Sequence, residues 1–356
     1  MKFFTVGPTQ LHKNFSKHLN IALKKHIPSI SHRSEDFKKN YLELIRNIKK
    51  LFQAPENYDV VFLGSATEFM ERAIQNLSKE KTLHFVSGAF SERCYKFAKN
   101  TNREALKIEM ENDDSFSLEK IPKNFLPEII FITHNETSCG HKIPKNFILE
   151  IRKNFPNTLL VCDVVSSAPV CDILIEEIDL LFFSVQKAFG LPAGLGVGII
   201  SPRLIEKAEK IKETENSKNI FHSFSNMHKN NSEAKTLETP NVLLMFLLNE
   251  VVKDFLKKTL KKIKKEQIEK LKILENFFLK HKNFSAIIKN KEWRSETVLV
   301  YETKIDSKII IEKLKKKGIM IATGYGEDKN TRIRIANFPQ TNKKDILNLT
   351  NNLKKI

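Results

Sequence analysis

The chain has few cysteines, and their spacing fits neither a disulfide framework nor a zinc site. No CxxC pair and no Cys/His zinc pattern occurs, and the four cysteines are Cys94, Cys139, Cys162 and Cys171. Free thiols are typical of proteins in a reducing compartment. The longest apolar run, residues 242–248, is far shorter than the ~20 residues that cross a membrane. We therefore expect a cytoplasmic protein with no signal peptide, no membrane partner and no metal site.

Nucleotide-binding motifs are also missing. Neither the P-loop pattern GxxxxGKS/T nor the dinucleotide pattern GxGxxG occurs, which disfavours both kinds of nucleotide site. Acidic residues number 42 against 60 basic ones, so the formal net charge is +18. Such an excess would suit a nucleic-acid partner, but the lysines are scattered. The densest run, residues 253–272, carries Leu and Ile at helical spacing, which predicts a solvated helix face and no nucleic-acid partner.

The chain does contain a regular alternation of strands and helices. Apolar strands are predicted at residues 59–63, 82–86, 128–133, 159–162, 178–185 and 195–200. Helices are predicted between them at residues 67–77, 91–99 and 143–154. This alternation is typical of an α/β fold with a mostly parallel sheet that helices cover on both faces. The last strand is predicted to be antiparallel because only a tight loop separates it from the strand before it.

The C-terminal part of the chain has a different pattern. A long helix at about 241–280, with a break, leads to a strand at 297–301, a helix at 307–316 and a strand at 331–336. This pattern predicts a small α+β domain. We therefore expect an N-terminal arm (1–13), a large domain (14–245) and a small C-terminal domain (246–356).

Polar clusters follow the ends of five predicted strands. They are residues 64–67, 87–90, 134–137, 163–167 and 186–187. Open parallel sheets bind their ligands beyond the carboxyl ends of the strands. The five clusters therefore predict one shared site at that edge of the sheet.

Two side chains in these clusters carry reactive chemistry. Lys187 ends an apolar strand, and burial would lower the pKa of its amine and make it a nucleophile toward a carbonyl; the alternative is a strand-end lysine that reaches solvent. Asp163 also ends an apolar strand, and its carboxylate would stay charged only beside a cation; the alternative is a turn cap. Residues 65–67 open a helix and either bind a phosphate or only cap the helix. Together the three features are what pyridoxal phosphate requires.

Short motifs along nearly the whole chain carry a family resemblance. They are residues 4–9, 31–34, 65–67, 88–90, 135–137, 163–167, 184–187, 238–240 and 332–337. In this order they resemble the class V, fold-type I pyridoxal-phosphate aminotransferases, and most closely the phosphoserine aminotransferase branch. The resemblance implies a seven-stranded, mostly parallel sheet flanked by helices, a small C-terminal domain and a homodimer with shared active sites.

The resemblance also implies roles for single residues. Lys187 would be the Schiff-base lysine and proton shuttle, and Asp163 would pair with the pyridine nitrogen of pyridoxal 5'-phosphate. The other cofactor contacts would be Ser65, Ala66, Thr67, Phe90, Thr137 and Gln186, with Glu238 and Thr239 completing the phosphate site of the partner subunit. The substrate carboxylate would bind Arg332, or Arg334 on the same strand face, and the distal substrate group would contact His32 and Arg33.

The branch pattern is not complete. Thr67 stands where phosphoserine enzymes often have an arginine, Glu238 replaces the usual asparagine, and residues 324–327 replace a His-Arg pair. The first hypothesis is amino transfer from L-glutamate to 3-phosphohydroxypyruvate in serine biosynthesis. The second is an alanine–glyoxylate or serine–pyruvate type aminotransferase that acts on small neutral amino acids. The third, from a different class, is a catalytically inactive basic binding protein.

Overall fold

A computed structural model describes residues 1–212 and 220–356 of the chain. The strands of these residues, in chain order, are β1 (Lys2–Phe3), β2 (Asp59–Leu63), β3 (Lys81–Val86), β4 (Glu104–Glu109), β5 (Ile129–Thr133), β6 (Asn135–Glu136), β7 (His141–Lys142), β8 (Leu159–Asp163), β9 (Leu180–Ser184), β10 (Gly196–Ile200), β11 (Phe284–Ala286), β12 (Val298–Thr303), β13 (Ile319–Met320), β14 (Ala322–Thr323) and β15 (Arg332–Ala336). The α-helices are α1 (Phe15–Lys24), α2 (Glu35–Phe52), α3 (Ala66–Leu77), α4 (Ala89–Asn100), α5 (Lys145–Asn154), α6 (Pro202–Lys212), α7 (Phe224–Ser232), α8 (Val242–Lys258), α9 (Leu260–Lys280), α10 (Ser307–Lys315) and α11 (Lys343–Leu353).

A seven-stranded sheet forms the centre of the fold, in the order β2-β10-β9-β8-β5-β3-β4. Neighbouring strands from β9 to β4 are parallel, whereas β10 is antiparallel to both β2 and β9. The predicted mostly parallel sheet and the predicted antiparallel strand are therefore confirmed. No helix among the described residues is long and apolar enough to cross a membrane.

Alternate side chains of each central strand enter two separate hydrophobic clusters. In β9, Phe183 stacks on Phe189 at 4.7 Å between ring centroids, and Phe182 points to the opposite face and stacks on Phe69 of α3 at 5.8 Å. The first face is covered by α2 and α8, and the second by α3 and α6. Both faces are buried because the strands are continuously apolar, as expected for a parallel sheet.

Two elements differ from the sequence-based expectation. The pattern did not predict β4, an edge strand that carries charged side chains and buries only Ile108. Charged, half-exposed edge strands are common because they discourage pairing with other chains. The residues between 221 and 237 looked irregular but include α7, whose first turn is capped by the Ser223 hydroxyl, which accepts from the Asn226 N–H.

A second, four-stranded antiparallel sheet, β11-β12-β15-β14, packs against α9, α10 and α11. The N-terminal arm reaches this sheet, because β1 pairs in parallel with β13 and the Phe4 side chain is fully buried in the same cluster. The predicted helix break lies at Thr259, between α8 and α9, where φ is +67°. The domain boundaries at 13/14 and 245/246 stay predictions, and we propose that the second boundary lies at Thr259, because α8 packs with the large sheet.

Candidate active site

A cavity of about 280 Å³ opens at the carboxyl edge of the large sheet. Its wall is formed by Gly7, Pro8, Ser65, Ala66, Thr67, Met70, Phe90, Arg93, Thr133, Asn135, Thr137, Asp163, Val165, Gln186, Lys187 and Ala193. The volume is near the lower end of that of small-molecule sites, about 300 Å³. The cavity therefore brings together residues from the ends of five strands, as the sequence pattern predicted.

Lys187 lies just beyond β9, and its side chain is only 8% exposed. Its Nζ donates a hydrogen bond to the Val6 carbonyl oxygen of the N-terminal arm. The pKa of the Lys187 amine is lowered to about 8, mainly by burial and also by the nearby Arg334 charge, while the charges of Asp163 and Glu136 act in the opposite direction. A substantial fraction of the amine is therefore neutral near physiological pH, as a nucleophile or a general base requires.

The arm can pass so close to Lys187 because residue 7 is glycine. A Cβ atom at Gly7 would overlap the end of the Lys187 side chain, and the φ angle of +145° is one that L-residues with a side chain rarely adopt. The Gln340 side chain, from a loop that follows β15, donates to the carbonyl oxygen of the next residue, Ala188. The arm therefore contacts the Lys187 amine itself, and the loop after β15 contacts the backbone beside it.

Asp163 is the last residue of β8 and is 6% exposed. Burial raises the pKa of its carboxyl from the usual 3.8 to about 7, although a hydrogen bond from the Val165 N–H (2.8 Å) favours the charged form. Among the described residues no side-chain cation forms an ion pair with it. A protonated nitrogen in the cavity would supply that partner.

The first turn of α3 and the Gln186 side chain form the polar end of the cavity. The Ser65 hydroxyl caps the helix by accepting from the Glu68 N–H (3.1 Å), and Ala66 and Thr67 follow on the cavity wall. The Gln186 Oε1 atom is buried and has no hydrogen-bond partner among the described residues. Because Gln186 lines the cavity, this atom is available to a polar ligand bound there.

Phe90 is fixed in place by a buried acid, Glu136. The Glu136 carboxylate accepts from the N–H groups of Phe90 (3.1 Å) and Ser91 (2.9 Å) at the start of α4, and from that of Ser138 (3.1 Å). An acidic group at a helix N-terminus is stabilised by the free N–H groups and the helix dipole. Glu136 therefore positions both the Phe90 ring and the adjacent Thr137.

The two predicted substrate arginines project from the same face of β15 but have different partners. The Arg334 guanidinium donates to the carbonyl oxygens of Thr323 (2.8 Å) and Thr137 (3.3 Å), and Thr137 belongs to the cavity wall. The Arg332 guanidinium instead forms ion pairs with Asp328 and with Glu302 (3.7 Å). Of the two, Arg334 has its guanidinium next to the cavity.

Six predicted site residues are not part of this cavity wall: the two arginines of β15, Arg332 and Arg334, and four others that lie elsewhere in the chain. Glu238 and Thr239 line a second cavity of about 160 Å³, and His32 and Arg33 occupy the turn before α2. The Glu238 carboxylate, an unexpected acid near a phosphate site, pairs with His222 Nε2 at 3.0 Å. The single chain therefore does not bring these four residues to the reactive lysine.

The sequence analysis assigned no role to Arg93 or Glu136. Glu136 lies inside a motif that was recognised, between Asn135 and Thr137, so its position was a usable signal. Arg93 is three residues after Phe90 in a predicted helix, which places both on one helix face.

The described residues also include one group able to ligate a metal, His12, His18 and Asp254, which lies outside the cavity wall. The absence of a metal stays a prediction.

The fold and the site define an α/β enzyme with a buried amine at the carboxyl edge of its sheet. Residues 4–328 match the family model described as aminotransferase class-V, and the chain belongs to this family. It is therefore a transaminase. The family implies a pyridoxal-phosphate cofactor, in agreement with the fold type expected from the sequence motifs.

Several proteins that are similar to this chain are named phosphoserine aminotransferase. A phosphoserine aminotransferase of Rhodococcus opacus is 25% identical over 98% of this chain and 93% of its own length. The crystal structure of a phosphoserine aminotransferase from Cytophaga hutchinsonii has 38% identity, covers 99% of this chain and 98% of its own, and gives a TM-score of 0.96. An alanine–glyoxylate aminotransferase from Nostoc sp. gives a TM-score of 0.84 at 23% identity, which shows the shared fold alone.

Replacing Asp163 with asparagine is expected to stabilise the cofactor-free protein most at alkaline pH. The folded-state pKa of about 7 lies above the usual 3.8, so the stability that protonated Asp163 contributes is lost as pH rises through about 7. The free energy of unfolding of Asp163→Asn, relative to that of wild type, should therefore be about 2–3 kcal/mol higher at about pH 8 than at about pH 5. Denaturant melts of both proteins at the two pH values measure it.

Asp179→Asn is the matched control, because Asp179 is also buried but is paired with Arg152 at 2.7 Å. This variant leaves the arginine without its partner and should destabilise the protein at both pH values. A stability difference for Asp163→Asn that does not change with pH would contradict the assignment of an unpaired buried carboxyl.

Proposed function

We propose that the protein is a phosphoserine aminotransferase that uses pyridoxal 5'-phosphate. It transfers the amino group of L-glutamate to 3-phosphohydroxypyruvate and yields 2-oxoglutarate and O-phospho-L-serine, a step of serine biosynthesis. The observation that carries the proposal is the 38% identity over 99% of the chain to the Cytophaga hutchinsonii enzyme of that name. The positively charged groups beside the cavity support a substrate with two anionic groups.

The residues present in the cavity fit this cofactor. The buried Asp163 carboxyl needs a cationic partner, which the protonated ring nitrogen would supply, and the unpaired Gln186 Oε1 needs a donor. The start of α3, at Ser65, Ala66 and Thr67, offers N–H groups and hydroxyls for the phosphate. When bound, pyridoxal phosphate supplies a ring that withdraws electrons from the substrate carbon that loses its proton.

Each of three side chains would have one task. The Lys187 Nζ would hold the cofactor, and its neutral amine would take up and return the proton of the substrate carbon. Its pKa of about 8 makes both steps accessible near neutral pH. Asp163 would keep the ring nitrogen protonated, and Phe90, whose ring centroid lies 6.0 Å from Lys187 Nζ, would stack on the ring.

For the substrate carboxylate we propose Arg334, with Arg332 as the alternative. Arg334 lies close enough to Lys187 for its charge to lower the pKa of the amine. It also borders the cavity through Thr137, whereas Arg332 is engaged by two carboxylates. A guanidinium can bind a carboxylate through two parallel hydrogen bonds, which orients the substrate as well as holding it.

We propose a homodimer in which each subunit completes the site of the other. His32 and Arg33 would contact the distal substrate group, and Glu238 and Thr239 would complete the phosphate site of the partner. Support comes from their position, because all four lie outside the cavity of their own chain. The Glu238 carboxylate contacts His222 Nε2 at 3.0 Å, so one of its oxygens already has a partner within its own chain.

The proposed location is the cytoplasm. All four cysteines are free thiols, with Cys94 and Cys162 buried, and the structure uses none of them in a disulfide. Free thiols persist in reducing compartments, where an enzyme of amino-acid metabolism would operate.

Reduction of the holoenzyme with borohydride is expected to fix the pyridoxyl group on Lys187. Peptide mass mapping measures the attachment site, and Lys187→Ala should lose both the visible absorbance of the cofactor and activity. The internal control is Lys270, another buried lysine whose pKa is lowered to about 8 but whose Nζ donates to the Phe338 and Thr341 carbonyl oxygens. A label on Lys270, or turnover by Lys187→Ala, would falsify the central assignment.

The donor range is expected to separate the first two hypotheses. O-phospho-L-serine and L-glutamate should discharge the visible absorbance of the holoenzyme with kcat/KM at least about 10-fold above that of L-alanine or L-serine. Each charge-assisted hydrogen bond to the extra anionic group is worth about 1.5–3 kcal/mol. Stopped-flow spectra of single half-reactions give the values. Faster discharge by L-alanine or L-serine would favour the alanine–glyoxylate or serine–pyruvate type.

Mixed dimers test the shared site. Arg33→Ala and Lys187→Ala dimers should each be nearly inactive, but unfolding and refolding them together should restore about a quarter of the wild-type sites, because half of the dimers are mixed and hold one intact site. The activity of the refolded mixture, without selection of the mixed dimers, measures this restoration. Thr67→Val is the matched control, since Thr67 lies in the cavity of its own chain and its mixture with Lys187→Ala should restore nothing. No rescue by Arg33→Ala would place that residue outside the partner's site.

A further inference from the structure

The proposed substrate carries a distal phosphate, which needs a cation in the active site. The chain has Thr67 in place of the arginine often found in phosphoserine aminotransferases, and residues 324–327 in place of their His-Arg pair. The structure puts Tyr325 in that segment, with its ring 5.5 Å from the Phe90 ring between centroids. Residues 324–327 therefore place a neutral side chain, Tyr325, beside the cavity wall.

Arg93 brings a positive charge to the same place from a different element. It lies one turn after Phe90 in α4 and forms part of the cavity wall. Its Cζ atom is 5.1 Å from the centroid of the Phe90 ring, and its Nη2 atom donates to the Tyr325 hydroxyl at 3.3 Å. The helix and the tyrosine together hold the guanidinium at the cavity wall, beside the Phe90 ring.

The guanidinium of Arg93 keeps most of its hydrogen-bonding capacity free. Within residues 1–212 and 220–356 it forms no ion pair, and the bond to Tyr325 uses one of its five N–H donors. The other arginines near the site are engaged, Arg332 by carboxylates and Arg334 by carbonyl oxygens. Arg93 is thus a cation on the cavity wall that is available for an anionic ligand.

Arg93 and Arg334 contact different parts of one tyrosine. The Arg334 Cζ atom lies 5.4 Å from the centroid of the Tyr325 ring, whereas Arg93 binds its hydroxyl. The two guanidinium groups are therefore neighbours without sharing a ligand. Such a pair suits a small molecule that has an anionic group at each end.

We propose that Arg93, aided by the Tyr325 hydroxyl, binds the distal phosphate of the substrate in place of the missing His-Arg pair. This inference rests on the proposed function, because the phosphate belongs to the proposed substrate. Arg93 is then the residue that selects donors with a distal anion. It touches the substrate away from the reacting carbon, so its loss acts on specificity more than on the chemical step.

The test compares Arg93→Gln with wild type on four donors, O-phospho-L-serine, L-glutamate, L-serine and L-alanine, in single half-reactions of the holoenzyme. Arg93→Gln should lower kcat/KM for O-phospho-L-serine roughly 10- to 100-fold, mainly through KM. Its values for L-serine and L-alanine should change by less than about 2-fold. Arg93→Lys keeps the charge and should recover part of the loss, and Tyr325→Phe should show a smaller loss of the same kind.

Lys96→Gln is the matched control, because it removes one positive charge from the exposed part of the same helix. Lys96→Gln should leave kcat/KM unchanged for all four donors. Equal losses of Arg93→Gln on all donors would show a structural role and overturn the inference, as would no loss on the anionic donors.

The two proposals fail in different ways. If L-glutamate discharges the visible absorbance of the wild-type holoenzyme and O-phospho-L-serine does not, the proposed function fails. The test of Arg93 is then whether Arg93→Gln lowers kcat/KM for L-glutamate more than for L-serine and L-alanine. If wild type reacts only with neutral donors, no distal anion is bound and both proposals are overturned.

Discussion

The site depends on the burial of one amine and one carboxyl at the same edge of a sheet without a direct ion pair between them. Burial disfavours the charged form of both groups, so it lowers the pKa of Lys187 to about 8 and raises that of Asp163 to about 7. A direct ion pair would oppose both shifts. β8 and β9 end side by side, with Asp163 opposite Phe182, and Lys187 follows five residues after Phe182, so the parallel strands bring both groups to one edge of the sheet.

Both sheets contribute side chains to the site. The large sheet presents the reactive groups, and the four-stranded sheet contributes Arg334 on β15 and, from a following loop, Gln340, which supports the Lys187 loop. Tyr325 lies where the two parts meet, in contact with Phe90 and Arg93 on one side and with Arg334 on the other. Charge selection therefore depends on contacts between parts of the chain that are far apart in sequence.

Site residues that a local sequence pattern marks could be predicted, whereas contacts between distant parts of the sequence could not. Lys187 and Asp163 were recognisable because each interrupts an apolar strand, and the parallel-sheet rule then placed both at one edge. Arg93 meets Tyr325 across 232 positions, and no local pattern encodes such a contact. The edge strand β4 was missed for a different reason, since its charged side chains hide the alternation. The roles proposed for His32, Arg33, Glu238 and Thr239 depend on a second chain, which the structure of one chain does not place.

The N-terminal arm links two distant parts of the molecule mechanically. Its Phe4 N–H donates to Met320 O (2.7 Å) and its Phe4 carbonyl accepts from Ala336 N–H (2.8 Å), while two residues later the Val6 carbonyl accepts from Lys187. A displacement of the smaller sheet would thus be transmitted along three peptide units to the reactive amine. For the same reason, an affinity tag fused before Met1 would apply force to β1, which ends three residues before Val6, the hydrogen-bond partner of Lys187.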